Sequence, residues 1–199
     1  MRSIAFTDIV SSVESMCIRA CRELPGDVVS ALSSAVTVEH SPLGRSILEQ
    51  CLRNAETASA DRIPICQDTG FAVFFVEIGA DLRIDGGLVG NAIAEGTRGA
   101  YVNGALRASI VADPLFDRRN TGDNTPPVVH VDIVDGDRLK IFFAPKGGGC
   151  ENMSYLRMLT PSEGVEGVTR FVVESVVGSG ATRLRAWTAS MAPVLTNKP

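Results

Sequence analysis

The chain has 199 residues, enough for one large domain or for one domain with a short appendage. Apolar residues make up 45% and charged residues 21%, a balance that allows a buried core. The net charge of −4 creates no positive field that would attract nucleic acid, and no apolar run approaches the roughly 18–20 residues of a membrane span. We therefore expect neither nucleic acid nor a membrane as a partner.

The five cysteines are an odd number without a repeated short spacing, and no C-x-x-C pair occurs. This pattern argues against a secreted disulfide framework and against a zinc ribbon. With only two histidines, a metal site built on imidazole is not expected. The N-terminus has no long apolar region and no clear cleavage site, so we predict a cytoplasmic protein without a signal peptide.

Three helices are predicted in the first sixty residues. Apolar residues recur at three- and four-residue steps over 7–24, and Pro25-Gly26 ends that pattern. A second, short helix follows over 27–38. The third begins with Ser41 as N-cap and Pro42 at the first helical position.

Three cysteines lie on the apolar stripes of these helices. Cys17 and Cys21 are one helical turn apart and could in principle bind a metal. Their position on the stripe of the first helix favours packing in the core instead. The same reasoning predicts that Cys51 is a core residue of the third helix.

A strand, a helix and a loop are predicted next. The segment 71–79 is almost continuously apolar and reads as a buried strand. Residues 88–102 are predicted as a helix, although each of their glycines costs about 1 kcal/mol relative to alanine. Residues 107–127 are rich in Asp, Asn, Gly and Pro and predict a long loop, which in a compact domain usually has a function.

The last third of the chain predicts a hairpin and two helices. The strands 128–134 and 138–145 would pair through a tight turn at Asp135-Gly136. The triple glycine in 145–159 would open one helix. Thr160, Pro161 and Glu163 form a capping box that would begin a last helix ending near Val177.

These elements predict a mixed α/β (α+β) fold. Its N-terminal helices would pack on a mixed β-sheet, and a helix would close the domain at its C-terminal end. We predict that this domain covers residues 1–178. Residues 179–199 show no clear periodicity, so we expect a divergent, poorly ordered tail.

The segment "CQDTG" places a thiol, an amide and a carboxylate side by side before the predicted strand. Cys66 is either a small buried residue or a functional thiol, although one cysteine alone cannot hold an iron–sulfur cluster. Gln67 and Asp68 would be costly to bury without partners. Asp68 is either a general base or the cap of a turn at Thr69-Gly70, and the sequence leaves these two readings open.

Two further features suit an anionic ligand. The glycines 147–149 offer unobstructed backbone N–H groups that could bind a carboxylate or phosphate, or they form a flexible turn. Arg107 could grip a carboxylate with its planar guanidinium group. Arg118 and Arg119 are interpreted as solvated surface residues.

Taken together, the motifs "PICQDTG", "LRASIVADPLFDRRNTGDNTPP", "PKGGGCENMSYLRML" and "TPSEGVEGV" resemble the N-terminal part of class I fumarate hydratases. They are equally similar to the α subunit of L(+)-tartrate dehydratase. The resemblance covers roughly residues 5–178. It implies a hydro-lyase that adds water to, or removes it from, a dicarboxylate with an oxygen-sensitive [4Fe–4S] cluster held by three cysteines.

The resemblance also implies roles for five residues. Cys66 matches the first cluster ligand, and Gln67 and Asp68 would face the substrate, with Asp68 as the candidate for proton transfer. Arg107 matches an arginine that clamps a substrate carboxylate. Gly149 matches the end of a loop that donates backbone N–H groups to the substrate.

The sequence departs from the family pattern in two places. Cys150 stands where the family usually has serine in "GGGSEN", and we interpret it as a local variant rather than a cluster ligand. After Gly178 the resemblance ends, and no further cysteine follows. We therefore expect the isolated chain to be inactive, and we expect either a homodimer or a partner chain or domain that carries the other cluster cysteines. The alternatives are a tartrate dehydratase α subunit and a truncated, non-catalytic domain of the same family.

Overall fold

The computed structural model describes residues 2–149, 152 and 154–178. The predicted tail at 179–199 and Cys150 lie outside the described residues. The chain divides after Lys146 into two compact units, and each is described by itself.

The first unit contains four helices and five strands. The helices are α1 (Phe6–Arg22), α2 (Gly26–Val38), α3 (Pro42–Asp61) and α4 (Val89–Asn103); the strands are β1 (Arg2–Ala5), β2 (Phe71–Gly79), β3 (Leu82–Asp85), β4 (Val128–Val134) and β5 (Leu139–Lys146). The helices and the three longer strands confirm the predicted elements. The strands β1 and β3, which pair in parallel, were not predicted, because four residues are too short to establish an alternating pattern.

The larger sheet has three strands in the order β4-β2-β5. The central strand β2 is parallel to β4 and antiparallel to β5, with Phe74 opposite Val129 on one side and Phe143 on the other. The sheet is therefore mixed, and the predicted mixed α/β fold class is confirmed.

The predicted hairpin between β4 and β5 is wrong, because β2 lies between these strands. Their connection crosses the end of β2: the Gly79 N–H donates to the Arg138 carbonyl at 2.8 Å, and the Ala80 N–H donates to the Val134 carbonyl at 2.8 Å. A Cβ on Gly79 would collide with the Gly136 carbonyl. The Asp135-Gly136 turn therefore belongs to a connection that crosses the end of β2. The apolar residues of β2 suit its position as the central strand of the sheet.

The core lies between one face of this sheet and the helices α1 and α4. It is formed by Ile9, Val13, Cys17 and Cys21 of α1, Ala72, Phe74 and Val76 of β2, and Ala92, Ile93, Ala100 and Tyr101 of α4, with Leu106 beyond the helix. The ring centroids of Phe74 and Phe143 lie 5.0 Å apart. The predicted packing of helices on a mixed sheet is confirmed, as is the burial of Cys17 and Cys21.

The helices α2 and α3 pack mainly against each other. The predicted cap of α3 is confirmed, because the Gly44 N–H donates to the Ser41 hydroxyl at 3.3 Å. The prediction that Cys51 is a core residue is wrong, since its side chain is exposed. In α3 only Leu48, Ala55 and Ala58 are buried. The helix α2, which packs against α3, has no fully buried residue.

The loop 107–127 is confirmed, with one isolated bridge between Val111 and Asn120. The Asp113 carboxylate accepts the N–H groups of Leu115 at 2.8 Å and Phe116 at 3.0 Å, which closes a local turn. These backbone hydrogen bonds lower the pKa of the Asp113 carboxyl. The loop is thus tied together by its own polar side chains.

The second unit contains α5 (Gly164–Gly178), preceded by a 3₁₀ turn over Pro161–Glu163. The capping box is confirmed, although it opens the 3₁₀ turn, and Gly164, with φ 51°, both caps this turn and is the first residue of α5. The helix predicted within 145–159 is wrong in its described part: Lys146 ends β5, and 154–160 are not helical. Gly149, with φ 93°, has a left-handed backbone that a helix does not accommodate. No helix in the described ranges is both long and apolar enough to span a membrane.

Candidate functional site

Two hydrogen bonds hold the backbone in place immediately before Cys66. After α3, the Ile65 N–H donates to the Cys21 carbonyl at 2.9 Å, and the Asn54 amide donates to the Ile65 carbonyl at 2.8 Å. Both backbone groups of Ile65 are therefore held by helices, one by α1 and the other by α3. The chain is anchored one residue before the thiol.

The residues Cys66, Gln67 and Asp68 form a tight polar turn. The Asp68 N–H donates to the Cys66 sulfur at 3.4 Å, and the Cys66 thiol donates to the Gln67 side-chain oxygen at 3.4 Å. The Gly70 N–H donates to the Asp68 carboxylate at 3.0 Å, which is the turn contact that the sequence left open. Cys66 and Gln67 are exposed and Asp68 is half-buried, so the interpretation of Cys66 as a buried residue is wrong.

The next residue, Thr69, joins this turn to Arg107. Its hydroxyl accepts the Arg107 N–H at 2.9 Å and donates to the Arg107 carbonyl at 3.2 Å. The Tyr101 hydroxyl donates to the Thr69 carbonyl at 3.1 Å. The buried Asn124 amide donates to the Gly70 carbonyl at 3.1 Å. Hydrogen bonds from α4 and from the long loop thus converge on the turn.

A solvent-open pocket of about 360 Å³ lies between these two segments. It is lined by Ile63, Pro64, Cys66, Gln67, Thr69, Ala105, Leu106 and Arg107. Three of the predicted site residues, Cys66, Gln67 and Arg107, therefore share one pocket. Asp68 lies between two lining residues in the sequence, although it is not itself part of the lining.

The backbone turns sharply before Arg107. Ala105 follows α4 with φ 53°, a left-handed conformation in which glycine is the usual residue, and the Leu106 N–H donates back to the Tyr101 carbonyl at 3.2 Å. Asn124 has φ 60°. Strained positions of this kind cluster at functional sites, and both flank the segment that carries Arg107.

Burial raises the pKa values of three core residues, Tyr101, Cys17 and Cys21. It raises the pKa of the Tyr101 phenol above its usual value, so the hydroxyl remains a hydrogen-bond donor even in alkaline solution where a free phenol ionises. Burial also raises the pKa of the Cys17 thiol and brings that of Cys21 to about 11. Both side chains belong to the hydrophobic core, which agrees with the predicted core packing.

Gly149 lies in the second unit, where it is exposed. Its predicted contact with the substrate stays a prediction, as do the chemical roles of the other four residues. Sequence reasoning missed Thr69, Tyr101 and Asn124 as structural partners of the site. Tyr101 follows the helical spacing of the buried Ile93 and Thr97, but nothing in the sequence indicates that its hydroxyl reaches Thr69.

The described residues fit one ligand of an iron–sulfur cluster but not a complete cluster site. Cys66 is an exposed thiol that lines a pocket, so its sulfur is accessible to an incoming cluster. No group of three or more His, Cys, Asp or Glu side chains suited to a metal ion occurs among the residues that the structure describes. A three-cysteine site would require ligands from outside this part of the chain.

Comparisons with known proteins identify the family. The sequence profile of the family described as Fumarate hydratase (Fumerase) matches residues 10–183. The "Putative L(+)-tartrate dehydratase subunit alpha" of Methanocaldococcus jannaschii is 35% identical over 162 residues, which cover 79% of this chain and 56% of the relative. The "L(+)-tartrate dehydratase subunit alpha" of Escherichia coli strain UTI89 is 36% identical over 174 residues, which cover 85% and 55%. The chain spans about half the length of these relatives, and it belongs to the Fumarate hydratase (Fumerase) family.

Proposed function

We propose that this chain forms part of a class I fumarase-type hydro-lyase that catalyses the reversible hydration of fumarate to malate. The observation that carries the proposal is the pocket shared by Cys66, Gln67 and Arg107, in a member of the fumarate hydratase family. The residues that line this pocket of about 360 Å³ include a cysteine, a glutamine and an arginine, whose functional groups suit a small acid.

Arg107 is proposed to bind one substrate carboxylate. Its guanidinium group can donate two parallel hydrogen bonds to a carboxylate, which fixes both position and orientation. Arg107 is exposed and lines the pocket, while its backbone is held at both the N–H and the carbonyl by Thr69. The Gly149 backbone N–H is proposed as a second carboxylate contact.

Asp68 is proposed as the group that transfers the proton. Hydration places a hydroxyl group on one alkene carbon and a hydrogen on the other, next to a carboxylate. The Asp68 carboxyl would deliver that proton in hydration and remove it in dehydration. Gln67, exposed beside it, is proposed to orient the substrate by hydrogen bonding.

Cys66 is proposed as one thiolate ligand of a [4Fe–4S] cluster. When bound, such a cluster supplies a Lewis acid for the substrate oxygens. The remaining ligands would come from outside the described residues, from polypeptide that corresponds to the uncovered half of the relatives and is supplied by a partner chain or domain. A homodimer is proposed as the alternative assembly. We place this assembly in the cytoplasm, a reducing compartment that suits free thiols.

L(+)-tartrate is a second candidate substrate. The two relatives described above are named L(+)-tartrate dehydratase α subunits, one of them as putative, and this name is the observation that favours L(+)-tartrate. Fumarate and L(+)-tartrate are both four-carbon dicarboxylates, so the same roles for Arg107 and Asp68 apply. Substrate profiling of the assembled enzyme separates the two.

The test is anaerobic reconstitution with ferrous iron and sulfide. The chain is treated alone and with a polypeptide that supplies the uncovered part of an L(+)-tartrate dehydratase. We expect cluster absorbance and turnover of fumarate or L(+)-tartrate only in the combined sample, and we expect Cys66→Ala to abolish both. A complete cluster on the chain alone, or full activity of Cys66→Ala, would contradict the proposal. No cluster in either sample would favour a non-catalytic domain.

A further inference from the structure

The side chain of Thr69 directly contacts the backbone of Arg107 and so joins the two segments that carry the proposed site. Thr69 is only 5% exposed, and its hydroxyl both accepts the Arg107 N–H at 2.9 Å and donates to the Arg107 carbonyl at 3.2 Å. This reciprocal pair satisfies both backbone groups of Arg107. Cys66, Gln67 and Asp68 directly precede Thr69, so the hydroxyl connects the Cys-Gln-Asp triplet with the residue proposed to bind the substrate carboxylate.

The position of Thr69 is itself fixed by two other side chains. The Tyr101 hydroxyl donates to the carbonyls of Thr69 at 3.1 Å and Gly70 at 3.3 Å. The Asn124 amide donates to the Gly70 carbonyl at 3.1 Å, and its oxygen accepts the Ser109 N–H at 2.7 Å. Asn124 is completely buried. The turn therefore has little freedom, and the Thr69 hydroxyl has a defined place from which to hold Arg107.

We propose that Thr69 is a positioning residue for the substrate-binding arginine. Its hydroxyl sets where the Arg107 backbone lies relative to the Cys-Gln-Asp triplet, and thereby sets the affinity for a dicarboxylate. The inference rests on the proposed function and deepens it. A displacement of about 1 Å in a binding group is enough to cost a large part of its effect. A purely structural role for Thr69 would instead lower stability without a specific loss of substrate affinity.

The first experiment measures hydrogen exchange of the Arg107 amide in the full chain by NMR. Thr69→Val removes the hydroxyl at nearly constant shape, and Thr69→Ser keeps it. We expect exchange to accelerate by at least about tenfold in Thr69→Val and to stay near the native rate in Thr69→Ser, because only the former loses the acceptor. The Val76 amide in β2 is the control and should not change. Thr69→Ala, which cannot overpack, repeats the test if Thr69→Val disturbs folding.

The second experiment measures KM and kcat for fumarate in the reconstituted assembly. We expect Thr69→Val to raise KM about tenfold with little change in kcat, because uniform binding of substrate and transition state is lost. Thr69→Ser should restore KM. In an Arg107→Ala background, Thr69→Val should have no further effect.

Two results would overturn the inference. One is an unchanged KM in Thr69→Val, and the other is an equal rise in KM when Thr69→Val is added to Arg107→Ala. A native assembly that hydrates no dicarboxylate would instead overturn the proposed function. In that case the positioning role fails with it, while the exchange measurement still decides whether the Thr69 contact holds Arg107. The two failures are therefore distinguishable.

Discussion

The hydroxyl of Tyr101 lies 3.1 Å from the carbonyl oxygen of Thr69 and donates a hydrogen bond to it. This contact joins the buried face of α4 to the turn that follows Cys66, Gln67 and Asp68. Because burial raises the pKa of the phenol, the donor is retained even at alkaline pH values where a free phenol ionises. The site turn is thus attached directly to the core.

Replacing Tyr101 with phenylalanine tests this attachment. Tyr101→Phe removes the donor and leaves the buried Thr69 carbonyl without it, while the Gly70 carbonyl keeps the Asn124 amide. We expect the free energy of unfolding to fall by about 1–2 kcal/mol. Urea unfolding measures it, and an unchanged free energy would mean that the hydroxyl contributes nothing to the turn.

Because α1 packs closely on α4, replacing two different glycines of α4 with alanine should have opposite effects on stability. A Cβ on Gly96 would lie 2.6 Å from the Val10 carbonyl oxygen and 2.7 Å from the Val13 Cβ, whereas a Cβ on Gly90 would meet nothing within 4 Å. Gly96→Ala should destabilise the protein by about 1–3 kcal/mol through overpacking. Gly90→Ala should be neutral or stabilising by up to about 1 kcal/mol, because alanine favours the helix. Thermal and urea unfolding compare the two, and equal effects would contradict the packing.

The Arg98–Asp123 ion pair predicts a pH-dependent stability. Partial burial raises the pKa of Asp123, but hydrogen bonds from Thr125 and Arg98 outweigh it and lower the pKa from 3.8 to about 2. A carboxyl whose pKa is lower in the folded state stabilises the protein above its unfolded pKa, and this contribution is lost as the pH falls from about 4 to about 2.

Asp123→Asn should therefore lose about 2 kcal/mol at neutral pH, and the difference from the native protein should become small near pH 2 and vanish below it. Urea unfolding across this range measures it. Asp85→Asn is the control, because the Arg83–Asp85 pair is exposed and should contribute no more than about 1 kcal/mol. A constant Asp123→Asn difference at all pH values would contradict the linkage.

The cysteines should differ in reactivity according to their burial. Cys51 and Cys66 are exposed, whereas Cys17 and Cys21 are buried thiols with raised pKa values. We expect iodoacetamide at neutral pH to alkylate the exposed pair at least about a hundredfold faster, because the thiolate is the nucleophile. Peptide mapping by mass spectrometry gives each rate separately. Comparable rates at Cys17 and Cys21 in the folded protein would contradict the described core.

Local signals in the sequence were sufficient to predict most helices and strands of the fold. The Ser41 cap, the stripe of α1 and the apolar run of β2 each depend on neighbouring residues, and the structure confirms them. The pairing of β4 and β5 was mispredicted because strand order depends on which strand occupies the centre of the sheet. Periodicity does not carry that information.

The candidate site was also predicted only in part from the sequence. Cys66, Gln67 and Arg107 were selected from motifs, and the structure places them on one pocket. The hydrogen bonds that hold the pocket together connect residues far apart in the chain, such as Asn124 and Gly70, 54 positions apart. A sequence pattern shows which residues are polar, but not which distant carbonyl a buried amide will reach.

Ligand protection of Cys66 is the most direct measurement of whether the thiol and Arg107 belong to one dicarboxylate site. The rate of Cys66 alkylation by iodoacetamide is compared with and without excess succinate, with propionate at matched ionic strength as the monocarboxylate control and Cys51 as the internal reference. We expect succinate to slow alkylation of Cys66 by at least about fivefold, to leave Cys51 unaffected, and to lose this effect in Arg107→Ala. Alkylation of Cys66 that is unchanged by succinate, or protected equally in Arg107→Ala, would contradict a shared site.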